Sequence, residues 1–268
     1  MRQRRLSFLC LILASLSIPF SALGDEGDAA KKEESAKRLA ALKKLIAGVE
    51  VTAGKERANK LERVEEPILR WSNPIVKIVD ATVFVWTRDG RPVVVSQLAD
   101  VTDLGVWHEY QSMTTEPIQA KRNGQTEWAP TVGGIEWKRA PTTEAPSGTP
   151  ELRRVQMRKI AEKFQINDDF DFKPSQLRLL PTPLYRYSAP KLGVKDGALF
   201  TYVFGTDPEV MLLIEARKEG DAETWMVAFA RLTGFACQAT LDDKEFWSCK
   251  FPPESTFTQL RLGPSLSQ

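Results

Sequence analysis

The spacing of apolar and polar residues changes near residue 67 and again near residue 151. In residues 25–66, Leu39, Leu42, Leu45, Ile46 and Val49 recur at helical intervals among Lys, Glu and Ala. That stripe predicts one amphipathic helix. Gly48 and Gly54 weaken its far end, and residues 25–33 are polar enough to be expected disordered. From Ile68 the period becomes that of strands. Residues 81–87 are β-branched and aromatic, Asp89-Gly90 is a hairpin turn signal, and residues 93–98 and 106–113 read as two further strands. Ile118–Arg122 and Gln125–Trp128 form a predicted hairpin closed by Asn123-Gly124. Residues 139–150, rich in Pro, Thr and Ser, read as a linker.

The second stretch runs in the same order. Leu152, Val155, Met157, Ile160, Ala161 and Phe164 mark a helix, and residues 177–187 are extended but interrupted by Pro181 and Pro183, which suits an edge strand. Residues 198–204, 209–216 and 224–232 follow as strands. The likeness is also literal. Pro67-Ile68-Leu69-Arg70-Trp71-Ser72-Asn73-Pro74 returns 116 residues later as Pro183-Leu184-Tyr185-Arg186-Tyr187-Ser188-Ala189-Pro190, and residues 67–98 and 183–214 share 8 identities in 32 positions. The chain is therefore expected to be an α+β protein of two internally duplicated units, each a helix plus an antiparallel meander, packed with approximate two-fold pseudosymmetry. The expected segments are a signal peptide at 1–24, a charged helical segment at 25–66, a first β-rich repeat at 67–138, the linker at 139–150, a second helix and repeat at 151–252, and a tail at 253–268.

The first residues set the compartment. Arg2, Arg4 and Arg5 precede an apolar run from Leu6, and small residues at Ala22 and Gly24 precede the first acid, Asp25. This is the pattern of a cleaved export signal, so a periplasmic or secreted protein is expected, without stable membrane insertion after cleavage. Removing residues 1–24 leaves 34 basic against 35 acidic residues. A near-neutral chain gives no electrostatic reason to expect nucleic acid as a partner. Cys237 and Cys249 flank the turn residues 241–245. With a three-residue loop at 242–244 they face each other on paired strands, so a disulfide is expected in an oxidising compartment, the alternative being two buried thiols.

The motifs Arg70-Trp71-Ser72-Asn73-Pro74, Leu177-Arg178-Leu179-Leu180-Pro181-Thr182-Pro183-Leu184-Tyr185-Arg186-Tyr187 and the run from Gly197 to Arg217 resemble an uncharacterised family of secreted proteins from planctomycete-type bacteria. The resemblance covers most of the chain after residue 24. It implies export and transfers no functional residues.

Candidate chemistry is sparse. His108 is the sole histidine and falls opposite Met226 in the repeat, so a structural role is expected. Asn167-Asp168-Asp169-Phe170-Asp171 resembles a calcium loop in its oxygens but holds Pro174 and Leu180 where a calcium hand needs Gly and Glu. A solvated loop is expected, and no metal or other cofactor. Asp80 and Asp196 occupy equivalent positions, each ten residues after its arginine, Arg70 or Arg186. Paired acids could hydrolyse a glycoside, but an ion pair or turn cap within each repeat is the favoured explanation. Trp137 has no counterpart in the repeat and is the candidate exposed aromatic, with Arg70 and Arg186 as further binding candidates. The expected function is an exported, non-catalytic binding or structural protein whose ligand or partner lies between the halves. An exported glycan-directed hydrolase using Asp80 and Asp196 and a periplasmic lipid or peptide carrier are the alternatives.

Overall fold

The computed structural model describes residues 23–170, 173–220 and 222–266. The expected signal lies outside the described residues except for its last two positions. By its contacts the chain divides into two units, one ending at Lys37 and one beginning at Arg38. The first contains the exposed opening turns of helix α1 (Leu23–Ala47), where Glu33 and Lys37 pair at 2.7 Å. Residues 25–33, expected to be disordered, are helical there; Ala, Lys and Glu dominate the turns from Ala29 onward and favour helix even when nothing packs on them. No helix among the described residues is long and apolar enough to cross a membrane.

The second unit is an α+β body of antiparallel sheets. After the last turns of α1 come β1 (Val49–Ala53), β2 (Asn59–Lys60), β3 (Glu62–Arg63), β4 (Leu69–Asn73), β5 (Ile78–Arg88), β6 (Arg91–Val101), β7 (Gly105–Ser112), β8 (Ile118–Arg122), β9 (Gln125–Trp128) and β10 (Lys138–Arg139). Helix α2 (Pro150–Ala161) opens the second series, followed by β11 (Gln165–Asp168), β12 (Ser175–Gln176), β13 (Arg178–Leu179), β14 (Tyr185–Ala189), β15 (Val194–Phe204), β16 (Asp207–Glu219), β17 (Ala222–Arg231), β18 (Cys237–Leu241), β19 (Lys244–Cys249) and β20 (Phe257–Gly263). Local chemistry sets several boundaries. Thr149 caps α2 by accepting from the Leu152 N–H at 3.4 Å, with Pro150 in the first turn. Asp89-Gly90, Asn123-Gly124 and Asp242-Asp243 all have positive φ, as tight hairpin turns require.

Each series builds one large and one small sheet. The large sheets run β20-β7-β6-β5-β3 and β10-β17-β16-β15-β13, with β4 and β14 also paired to β5 and β15. The small sheets run β2-β1-β8-β9 and β12-β11-β18-β19. The closing strands cross over. β20 follows the second series but pairs with β7, and β10 follows the first but pairs with β17.

Three apolar layers order these parts. Leu42 and Ile46 of α1, with β1 and β8, cover one face of the first large sheet at Phe84, Trp86 and Tyr110. Met157 and Ile160 of α2, with β11 and β18, cover the second at Phe200, Tyr202 and Phe229. The remaining faces pack on each other, where Val83, Val85 and Val95 meet Leu199, Met211, Leu213 and Ala228. Each fully buried aliphatic side chain in that layer contributes about 1.5–3 kcal/mol.

The Pro-x-x-Arg-aromatic-Ser-x-Pro motifs lie where the hairpins cross. The β15–β16 turn rests on β4, with Thr206 Oγ1 donating to the Ser72 carbonyl at 2.6 Å. Conversely, the β5–β6 turn rests on β14. A Cβ on Gly90 would sit 3.2 Å from the Ser188 carbonyl oxygen, and Lys191 reaches Asp89 at 3.1 Å. Tyr187 stacks onto Gly197 so closely that a Cβ there would lie 2.5 Å from its ring.

The differences from the sequence reading are local. Val49 begins a strand rather than ending the helix, because its alternate neighbours Val51 and Ala53 are also buried. Residues 253–268, expected as a tail, supply β20. Arg139, expected in the linker, is in β10. Gly133 and Gly134 allow the chain to pass close over the end of β7, since a Cβ on Gly134 would lie 2.3 Å from the Ser112 carbonyl.

Candidate functional site

Asp80 and Asp196 are each held by two arginines. Arg70 approaches Asp80 side-on, with Nε at 2.8 Å and Nη2 at 2.5 Å, and Arg38 Nε of α1 lies 3.6 Å from Oδ2. Arg186 donates to Asp196 at 3.0 and 2.6 Å, and Arg153 Nε of α2 adds a third bond at 2.7 Å. Both carboxylates are buried, as is Arg153. Each half thus ties its helix and its Arg-aromatic motif to the first strand of its long hairpin. Hydrogen bonding to the carboxylates pushes Arg70 and Arg186 above their usual values. A buried carboxylate whose oxygens are taken up by two guanidinium groups is not free to attack a sugar. The binding candidates Arg70 and Arg186 are therefore committed to internal partners.

Trp137 is half-buried rather than exposed. The guanidinium groups of Arg91 and Arg217 lie against its ring, 4.8 and 3.7 Å from the centroid, and cover part of it. Both arginines converge on Glu215, which is fully buried. Arg91, from the first large sheet, donates through Nε at 2.7 Å and Nη2 at 3.1 Å, and Arg217 Nε lies at 2.5 Å. The Tyr187 hydroxyl donates to the same carboxylate at 2.6 Å. Burial lowers Arg217 from its usual value and raises Tyr187 well above its own. Arg217 Nη2 has no hydrogen-bond partner among the described residues.

A group of acids adjoins the contact between the large sheets. Gln97 on β6 donates to Glu109 at 3.2 Å and reaches Asp207 of the other sheet at 3.4 Å. Gln259 on β20 donates to Glu109 at 2.9 Å. Glu209 and Asp168 are electrostatic neighbours of Asp207. Burial raises all four acids, Glu109 to about 8 and Asp168 to about 6. Asp168 and Asp169 cap their own neighbourhood, accepting from the N–H groups of Phe170 and Ala236 at 3.4 and 2.8 Å. Asp171, the last residue of the acidic loop, lies outside the described residues. Among the described residues no three His, Cys, Asp or Glu side chains converge as metal ligands.

His108 is buried beside Ser96, with Nε2 2.5 Å from Oγ, while Nδ1 meets Arg122 Nη2 at 2.5 Å. Burial, then the arginine, lower its pKa well below the usual value. A catalytic dyad would place a carboxylate where Arg122 stands, to stabilise the imidazolium. Arg122 instead joins β7 to Glu127 at 2.6 Å and to the Leu45 carbonyl at the end of α1.

Cys237 and Cys249 face each other across β18 and β19 as expected, but as free thiols. This corrects the expected disulfide. Facing positions satisfy its Cα spacing, whereas the bond also needs a Cβ–S–S–Cβ torsion near 90° that pairing alone does not supply. The loop differs as well. Asp242-Asp243 is a two-residue turn, and a bulge between Ala239 and Thr240 restores the facing register. Cys249 borders a cleft of about 110 Å3 with Gln111, Arg231 and Thr256, whereas Cys237 is buried. The bond from Cys237, helped by Arg231, lowers the Cys249 pKa from its usual value. In the native protein one thiol equivalent, at Cys249, is expected to react with iodoacetamide, as read by peptide mass spectrometry. Labelling only after reduction would contradict the thiol assignment, and equal labelling of both cysteines would contradict the burial of Cys237.

A ligand space between the halves was expected. The layer between the large sheets is instead filled by side chains, leaving the small cleft beside Cys249 at their junction. Glu215 and Glu109 were missed, although Glu215 carried a sequence signal. Glu215 is the acid in the otherwise apolar run Met211-Leu212-Leu213-Ile214-Glu215-Ala216, in phase with buried Met211 and Leu213. Comparison with known proteins gives no match to a family model, a curated protein or a solved structure.

Proposed function

We propose that this is an exported, non-catalytic binding or structural protein built by internal duplication. The observation that carries the non-catalytic reading is the double-arginine clamp on each of Asp80 and Asp196. It gives the paired acids a structural task in both halves and removes the basis for a glycan hydrolase. Duplication is supported by the matched strand orders and by equivalent clamps from Arg38 and Arg153. Export rests on Arg2, Arg4, Arg5 and the apolar run behind them, in keeping with the resemblance to secreted proteins. A carrier for lipid or peptide is less well supported, because side chains fill the layer where an enclosed cavity would lie.

The test uses the full chain without residues 1–24. Asp196→Asn should lower the unfolding free energy by about 2–3 kcal/mol in urea titration, since a buried charge-assisted contact to Arg153 is lost. Asp80→Asn should act in the same direction. Release of sugar from a glycan panel by the parent protein, abolished in both variants while they remain folded, would overturn the reading.

A further inference from the structure

The two halves differ at one matching surface. In the first, Lys43 of α1 forms an ion pair with Glu66 in the loop before β4. Aligning the arginines that clamp Asp80 and Asp196 places Arg158 of α2 at the position of Lys43. The 116-residue offset places Thr182 at the position of Glu66. The second half therefore lacks the carboxylate that bridges helix and loop. What remains is a groove of about 520 Å3, lined by Arg154, Val155, Arg158, Pro181, Pro183 and Arg186.

The groove is positive. Arg158 turns to its helix neighbour Glu162 at 2.8 Å, and Arg186 shares Asp196 with Arg153. Arg154 is exposed and has no carboxylate partner among the described residues. Arg153, Arg154 and Arg186 set against Asp196 and the nearby Glu151 leave the rim with an excess of one positive charge, at Arg154. Its apolar walls are Val155, 46% exposed, and the rings of Pro181 and Pro183. A monatomic anion would satisfy the charge and leave these walls in water. An extended chain bearing glutamate satisfies both, its methylenes lying on the prolines and its carboxylate meeting the planar guanidinium fork.

We propose that the groove between α2 and the Pro181–Pro183 loop docks an acidic extended peptide, with a glutamate carboxylate taking the place that Glu66 fills in the first half. This rests on the reading of a binding protein with two equivalent halves, and it names the partner's chemistry.

Thr182→Glu is the decisive variant, because it supplies the missing carboxylate from within the chain. Fluorescein-labelled hexaglutamate would be titrated against the full chain without residues 1–24, with anisotropy as readout. Binding is expected, weakened about tenfold by Thr182→Glu and comparably by Arg154→Ala, and weakened further as salt is raised. Thr182→Glu should melt no lower than the parent, so a loss of binding is not a loss of fold. Absence of hexaglutamate binding, or equal affinity in parent and Thr182→Glu, overturns the proposal. Binding of a sulfated oligosaccharide alone would also overturn it, by assigning the groove to an anionic glycan. Each of these failures leaves the non-catalytic reading to the aspartate variants.

Discussion

Glu215→Gln should lower the unfolding free energy by about 3–5 kcal/mol, the range found when one member of a buried ion cluster is removed. The carboxylate is fully buried and accepts from Arg91, Arg217 and Tyr187. Neutralising it leaves the two guanidinium groups beside the Trp137 ring without a counter-ion. Arg91 belongs to one large sheet and Glu215 to the other, so the loss falls on the contact between the halves. In thermal unfolding the shift is expected to be roughly 10 °C for a body of this size. Trp137 emission should change in parallel, since both of its cationic neighbours lose their anchor. The triple replacement Arg91→Met, Glu215→Leu, Arg217→Met should recover much of the stability, because an apolar set avoids the desolvation of the charges. A change below about 1 kcal/mol for Glu215→Gln would mean that water reaches the carboxylate.

Alkaline pH should weaken the same contact from its acidic side. Burial first, then Glu209, push Glu109 up to about 8 from an ordinary 4.5, and burial pushes Asp168 up to about 6. Asp207 and Glu209 rise for the same first reason, each reinforced by a neighbouring acid. Arg231 opposes the shift of Glu109, but its own N–H groups are directed to the carbonyls of Thr233, Gly234, Phe235 and Lys250. The unfolded chain releases these protons near pH ~4, the folded chain only at higher pH. Between the two values the folded state binds more protons, so stability falls as pH rises. It is greatest below the unfolded values and levels off above the folded ones. Each group contributes a slope of about 1.4 kcal/mol per pH unit, which for Glu109 amounts to at most about 5 kcal/mol by pH ~8. Urea titrations from pH ~5 to ~9 should show this decline, and Glu109→Gln should remove much of it. A pH-independent midpoint would refute the buried acidic cluster.

The sequence was most informative where the code is local. Asn123-Gly124 fixed the β8–β9 hairpin, and the period-2 runs located the long hairpins β5–β6 and β15–β16 to within a few residues. The facing of Cys237 and Cys249 was legible because two small errors, loop length and a missing bulge, cancel in the register. The strands that escaped are short or follow misleading neighbours. β1 continues the apolar stripe of a helix, β10 has two residues, and β20 follows Pro252-Pro253 and so reads as a tail. Trp137 was singled out as exposed because it lacks a counterpart in the repeat. The residues that cover it lie on β6 and β16, distant in sequence, and pairing at that range has no local pattern. The Asp–Arg pairs were legible as intervals within each half. Their second arginines, Arg38 and Arg153, depend on how each helix lies on its sheet.

The crossing of β10 and β20 limits how the protein can be divided. A fragment ending in the 139–150 linker would contain the first large sheet without the strand that closes it at β7, and would carry β10 with no β17 to join. Its most direct remedy is a second copy of itself, each molecule lending β10 to the bare edge of the other as in a swapped dimer. Under the proposed duplication, a single-unit ancestor would have been viable as such a pair. Fusion then turned an encounter between two molecules into one within a chain, where the partner edge is present at millimolar effective concentration. Stability ceased to depend on protein concentration, and the two copies became free to diverge, as Glu66 and Thr182 have done.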